Sequence, residues 1–329
     1  MPRLFRVTIY VIRDRTQHLS CHFDGGIIVR PHVELIQQSD LRLHKAEFHG
    51  GEGTVYQRNL SYDEESGAAS TRLNFETAWH RPDGFHEADT EWYVLRGAVK
   101  LGDQMLGPHG YFRAPAGLHV PAISVRAGSE VLLFREYGDW GFSKSDQDRS
   151  DFIARGGNTA SDEPGELTVV DTGRLEWMPN IYEGDTQRFL KLKPLYEDPA
   201  PAGDNTKGFV TLLCWAPPGW SDNRMVHHPV FEEAYVIDGA LAYNFGRLES
   251  GTYFFRPARV KHGHFVSGEE KGSTAIIRLD GTLINWITIN ERFIAEGTAV
   301  NYDPETQAPL IAGIPVRSSS TGEWDLDGQ

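Results

Sequence analysis

The sequence predicts an all-β protein made of two tandem copies of one strand-rich unit. Three observations carry that prediction. Apolar runs of four to eight residues recur, among them 130–134, 209–213, 252–255 and 274–277, punctuated by Gly, Pro, Asn and Asp. Long amphipathic helical stretches are hard to find; the best, roughly 287–296, is short. The chain also repeats itself. His86 and His228 stand 142 positions apart (228 minus 86). Glu91 and Glu233, Tyr93 and Tyr235, Val94 and Val236, and Gly97 and Gly239 keep that spacing, as do Tyr111 and Tyr253, Phe112 and Phe254, and Pro115 and Pro257. Eight ungapped matches are not chance. The unit is too long for a solenoid repeat and right for a whole domain. Many short, evenly spaced strands imply a sandwich or barrel.

In chain order, residues 1–29 read as an N-terminal extension. Their apolar run is broken at Arg6 and followed by Arg13-Asp14-Arg15, so it is too short and interrupted for a membrane helix. It also lacks a clear signal-peptide cleavage site. An extra edge strand, a disordered lead, or an artefact of the assumed start all fit it. The first unit is placed at 30–140. A linker rich in Ser, Asp, Gly and Asn follows at 141–166, with Pro164-Gly165 near its end. The second unit is placed at 167–317 and carries a Pro/Ala-rich stretch, 198–207, that reads as an exposed loop. The polar tail 318–329 reads as extended or disordered, with Trp324 as an anchor. A chain of 329 residues fits two domains of about 150 residues each.

Composition excludes several classes. The net charge is −14 and no basic patch exceeds a few residues, which argues against nucleic acid and anionic membranes as partners. Cys21 and Cys214 lie far apart, give no disulfide framework and suit a reducing cytosol. No phosphate-binding Gly-Lys loop, dinucleotide fingerprint or serine elbow occurs.

The chemistry concentrates in His227-His228-Pro229-Val230-Phe231-Glu232-Glu233-Ala234-Tyr235-Val236-Ile237-Asp238-Gly239. Proline turns the chain back, so His228 can end one strand and Glu232 begin the next. Some twenty residues on, Arg256-Pro257-Ala258-Arg259-Val260-Lys261-His262-Gly263-His264 can return a second imidazole. His228, Glu232 and His262 form the two-histidine, one-carboxylate set that leaves metal positions open, as in non-heme Fe(II) oxygenases. His264, two residues past His262, is expected on the same strand face and is the preferred fourth ligand, or else a hydrogen-bonding support for the other three. His227 should face away. Glu233 reads as a solvated surface carboxylate. Trp215, Trp220, Tyr235, Tyr253 and Phe255 could line a barrel interior, although plain core is the commoner role of such residues.

These motifs resemble the cupin superfamily. His228-x3-Glu232-x6-Gly239 resembles its first motif and Gly251-x5-Pro257-x4-His262 its second. The run from His228-Pro229 to Gly239 is similar to ChrR-like cupins, with Ile237 for Leu. The resemblance spans both halves and implies a bicupin of two jelly-roll barrels, often paired as dimers, with His228, Glu232 and His262 as metal ligands. Two departures stand out: Val226 replaces the first motif histidine and Arg259 the second-motif glycine. In the first copy Thr90 takes the carboxylate position, so a site of His86, Glu91 and His119 is expected to be degenerate, with Trp92 filling the substrate space. Only a bulge turning Glu91 inward would restore it.

The expected function is a metal-dependent dioxygenase acting on a small aromatic or diketone-like molecule. One divalent ion is expected, Fe(II) first, with Zn, Mn or Ni as alternatives. A non-catalytic ChrR-like sensor is the second reading, and a cupin isomerase or lyase the third, because a fold does not fix a function.

Overall fold

The computed structural model describes residues 30–136, 141–146, 165–179, 190–198 and 208–288, apart from 31, 47, 49, 64 and 65; elsewhere it gives only the backbone of short strands, Thr8–Val11 and five beyond residue 300. Among the described residues the only helical elements are single turns, Gln38–Asp40 and Thr172–Arg174. The expected linker between 147 and 164, the loop at 199–207 and most of the helical stretch lie outside the described residues. The first two residues of that stretch end a strand, Ile284–Thr288, instead.

Two β-barrels follow one another, each built on the same strand register, as the cupin resemblance implies. In the first, Thr90–Arg96 lies between Gly110–Ala114 and Glu130–Arg135, and the sheet continues through Ala69–Phe75 and Val55–Tyr62. In the second, Glu232–Tyr243 lies between Thr252–Arg256 and Ser273–Leu279, with Phe209–Ala216 beyond. Tyr93 faces Tyr111 across one ladder and Tyr235 faces Tyr253 across the other, as the repeat requires. The strand Glu232–Tyr243 then runs on to pair with Gly246–Glu249 and His262–Ser267, so it serves two sheets. A bulge between Val236 and Asp238 makes that bend possible. Gly239, at φ 78°, closes it, and any Cβ there would meet the Gly272 carbonyl at 2.1 Å.

Alternation along each strand sorts the side chains. Trp92 and Val94 point into the first barrel, while Tyr93 points toward the second. The first interior is filled by Phe48, Phe75, Trp79, Trp92 and Phe112, whose neighbouring rings lie 5.1 to 6.5 Å apart. Each fully buried ring contributes roughly 1.5–3 kcal/mol of transfer free energy.

Sheet membership crosses the boundaries drawn from sequence. Val33–Gln37, placed in the first unit, pairs with Thr252–Arg256 of the second barrel. Thr168–Asp171, placed in the second unit, pairs with Gly110–Ala114 of the first. The barrels thus exchange edge strands. Thr8–Val11 lies parallel to Ile284–Thr288 at the edge of the second barrel's sheet.

Between the barrels lies a shared apolar layer that includes Tyr93, Leu132 and Phe134 from one side and Tyr235, Phe255 and Ile276 from the other. At its centre is a buried ionic network. Arg278 donates to Glu91 Oε1 from Nε at 3.1 Å and Nη2 at 2.8 Å, and also reaches Glu136 and Glu233. Arg30 Nη2 donates to Glu233 Oε1 at 2.9 Å. Tyr111 and Thr211 hydroxyls each donate to Glu91 Oε2 at 2.7 Å, and Tyr253 donates to Glu233 at 2.6 Å. Glu233 is therefore not a solvated surface group; it is 0% exposed. Burial would raise its pKa, yet Arg30 and Arg278 hold it at about 2. Three carboxylates meet two guanidinium groups here. Burial raises Glu136, against the pull of Arg278 and Arg30.

Candidate metal centre

The second barrel brings together His228, Glu232 and His262, all buried, with their donor atoms within 4.8 Å of one another. His228 follows the strand Ser221–His227, Glu232 opens the strand after the Pro229 turn, and His262 begins the strand His262–Ser267. Glu232 Oε2 lies 3.6 Å from His228 Nε2 and 3.2 Å from His262 Nε2. Bonds of about 2.1 Å to one ion would place donors about 3.0 Å apart at right angles and about 3.4 Å apart in a tetrahedron. The set fits a divalent metal.

Protons support the fit. His228 Nδ1 donates to the Ile284 carbonyl at 2.9 Å, and His262 Nδ1 to the Val260 carbonyl at 3.0 Å. With Nδ1 carrying the hydrogen, each neutral ring offers a bare lone pair at Nε2. Burial, then Arg256, keep His262 below the usual imidazole range, against the pull of Glu232. Burial opposes ionisation of Glu232, but His262 and then His228, when protonated, outweigh it and hold the carboxyl well below its usual range, a role that a bound cation would take over. Two neutral imidazoles and a carboxylate are the forms that bind metal.

Sequence reasoning missed the supports of Glu232. Arg256, 2% exposed, donates from Nη1 to Glu232 Oε2 at 2.8 Å and from Nε to Glu34 Oε1 at 2.7 Å. Tyr243 also donates to Glu34. Glu34 arrives on the exchanged strand Val33–Gln37. No local signal links residues 222 positions apart.

The other candidates lie elsewhere. His264 does not join the cluster. Gly263 at φ 157° and His264 at φ 55°, opposite a bulge between Asp222 and Met225, break the strand's alternation. Phe265, not His264, therefore follows His262 into the cavity wall. Burial pushes His264 down to about 4, against Asp222. His227 also lies outside the donor set; burial and then His228 bring it to about 4. Of the aromatic residues read as potential lining, Trp220 borders the cavity, while Tyr235, Tyr253 and Phe255 pack between the barrels. The unforeseen lining rings are Phe254 and Phe265.

In the first barrel His86, Glu91 and His119 do not converge. Glu91 sits in the ionic network, and His119 Nε2 lies 3.4 Å from Asp83 Oδ2 at a partly exposed position. Thr90 turns its hydroxyl onto the Ala88 carbonyl at 2.9 Å. His86 instead accepts at Nε2 from Arg81 Nη2 at 2.9 Å. Arg81 is 1% exposed, lies 3.9 Å over the Phe142 ring, and has no carboxylate partner among the described residues. Burial pushes its guanidinium down to about 9.

The cavity beside the second cluster measures ≈ 140 Å³. Its walls are mostly Leu, Ala, Val, Ile and Phe side chains.

With that geometry established, comparison places the chain. A family model described as a domain of unknown function, DUF4437, matches residues 34–286. The chain belongs to the DUF4437 family. No curated protein matches this DUF4437 member. Among solved structures, a Nostoc punctiforme protein provisionally described as a dioxygenase aligns at TM-score 0.62 and 18% identity, over 76% of this chain and 83% of that one. Escherichia coli YlbA, of family DUF861, aligns at TM-score 0.51 and 16% identity, over 78% and 95%. At these identities the likeness concerns the fold, which is the cupin barrel.

Proposed function

We propose that this protein is a metal-dependent oxidoreductase of the dioxygenase type, with Fe(II) in the second barrel and a small aromatic or diketone-like substrate. One observation carries the metal reading. His228 Nε2, His262 Nε2 and Glu232 Oε2 converge within 4.8 Å, and each ring's Nδ1 is already engaged by a backbone carbonyl, so that in the neutral form both Nε2 lone pairs face the carboxylate oxygen. A divalent cation among these donors would be shared by all three, beside the one proton that Arg256 gives Glu232 Oε2. Two imidazoles and one carboxylate leave positions open for a substrate and for dioxygen, and bound Fe(II) would supply the redox chemistry that activates them.

The chain's own residues set the conditions. The Ile284 and Val260 carbonyls fix the imidazole rings, and Arg256 holds the carboxylate oxygen in place. The apolar wall keeps bulk water away from the reacting centre. The provisional description of the Nostoc protein agrees with this reading, and the ChrR-like motif keeps a sensing role as the alternative. Elemental analysis of protein purified without chelator, followed by oxygen-uptake assays of the Fe(II)-loaded protein with aromatic and diketone compounds, tests it. About one equivalent of metal and substrate-dependent oxygen consumption are expected. No metal after anaerobic reconstitution would sink the proposal; stable metal binding without oxygen consumption would favour the sensor.

A further inference from the structure

The two barrels differ most where an interior ligand would sit. Strand register equates Trp92 with Ala234, Phe75 with Ala216 and Val131 with Ala275. At all three places the first barrel carries the larger side chain, and at all three the second carries alanine. The alanines border the ≈ 140 Å³ cavity, with Ala234 one alternation step along the strand from Glu232. A cavity of about 150 Å³ is large enough to admit benzene. The space therefore suits a body of about six carbons.

Charge narrows the class further. Beside the donors stand two carboxylates, Glu232 and Glu34, and one guanidinium, Arg256. Together with a divalent ion they sum to one positive charge. Arg256 is already engaged by both carboxylates, so it offers no second cationic subsite. Burying one positive charge in an apolar chamber is costly unless a single negative charge joins it.

We propose that the second barrel's cavity takes a singly charged oxyanion, such as a carboxylate, phenolate or enolate, on an apolar body of about six carbons, and that Ala234 sets that size. The charge half of this inference rests on the metal reading given above; the size half does not.

The test has two arms. In the metal-free protein, benzene should raise the melting temperature, naphthalene should not, and Ala234→Trp should abolish the benzene shift. Ala234→Leu serves as a milder variant should the tryptophan impair folding. In the Zn(II)-loaded protein, calorimetric titration should find benzoate bound at least tenfold more tightly than benzyl alcohol or phthalate. Ala234→Leu should weaken benzoate tenfold or more and leave zinc stoichiometry unchanged. Absence of a benzene shift, equal benzoate affinity in the variants, or phthalate binding as tight as benzoate would overturn the proposal. Zinc that fails to bind would sink the metal reading and the charge half together, while the benzene arm would still decide the size half.

Discussion

The two barrels place a histidine at the same point of the repeat, His86 and His228, and surround it oppositely. His228 meets another imidazole and a carboxylate; His86 meets a guanidinium. Arg81 brings a covalently attached positive charge to the place where the second barrel offers lone pairs for one. The rings of Phe142 and Trp79 lie against that guanidinium, at 3.9 and 5.7 Å. The repeat thus holds one chamber whose donors could receive a cation and one that carries its own. The difference needs few changes, because Thr90 for glutamate and Trp92 for alanine remove a donor and fill the space along a single strand.

The comparison breaks most sharply at the metal. Glu232→Ala and His262→Ala should each take metal content from about one equivalent to none, measured by elemental analysis. His86→Ala should leave it intact; a loss of half the metal would show that the first barrel binds an ion too. Next comes the buried arginine that the first barrel lacks at the matching position, where Phe134 stands opposite Arg278. Arg278→Met takes the guanidinium from Glu91 and Glu136 and leaves Glu233 to Arg30 alone, and should cost about 3–5 kcal/mol in urea unfolding. Arg81→Met should change stability by only about 1 kcal/mol, since losing an unpaired buried charge offsets the stranded lone pair on His86. A loss above about 3 kcal/mol would mean that Arg81 has an anionic partner in solution.

The comparison can also be sharpened by pH. Asp280, whose carboxylate accepts from the Phe231 amide at 2.8 Å, is raised by burial to about 7. A carboxyl raised on folding binds its proton more tightly in the native state. Its contribution is complete below the ordinary value near 4 and is lost as pH rises toward 7. Stability should therefore fall over that window, and Asp280→Asn, which keeps the acceptor oxygen, should flatten the slope in pH-dependent thermal melts.

Much of this was legible in the sequence. The ungapped repeat and the alternating apolar runs disclose twin β-barrels, and the His228, Glu232 and His262 spacing discloses the cluster, because both follow from local turn and strand periodicity. Three things escaped for physical reasons. His264 was misplaced because a bulge resets the alternation that i, i+2 reasoning assumes. Glu233 was read as a surface group because adjacency to Glu232 says which face it takes, but not that a second barrel covers that face. Glu34 was invisible because its role depends on a strand crossing from one unit's sequence to the other's sheet.

That crossing strand has a consequence in time. Synthesis proceeds from the N-terminus, and Glu34 emerges 222 residues before its partner Arg256. Until then Val33–Gln37 has no ladder to join, and its apolar residues wait beside a half-made protein. Pairings so distant along the chain are slow to form and expose sticky edges meanwhile. The arginine that steadies Glu232 is itself steadied by Glu34, from the earliest segment of the described barrels. The chamber around His228, Glu232 and His262 is therefore among the last parts of the molecule to become complete.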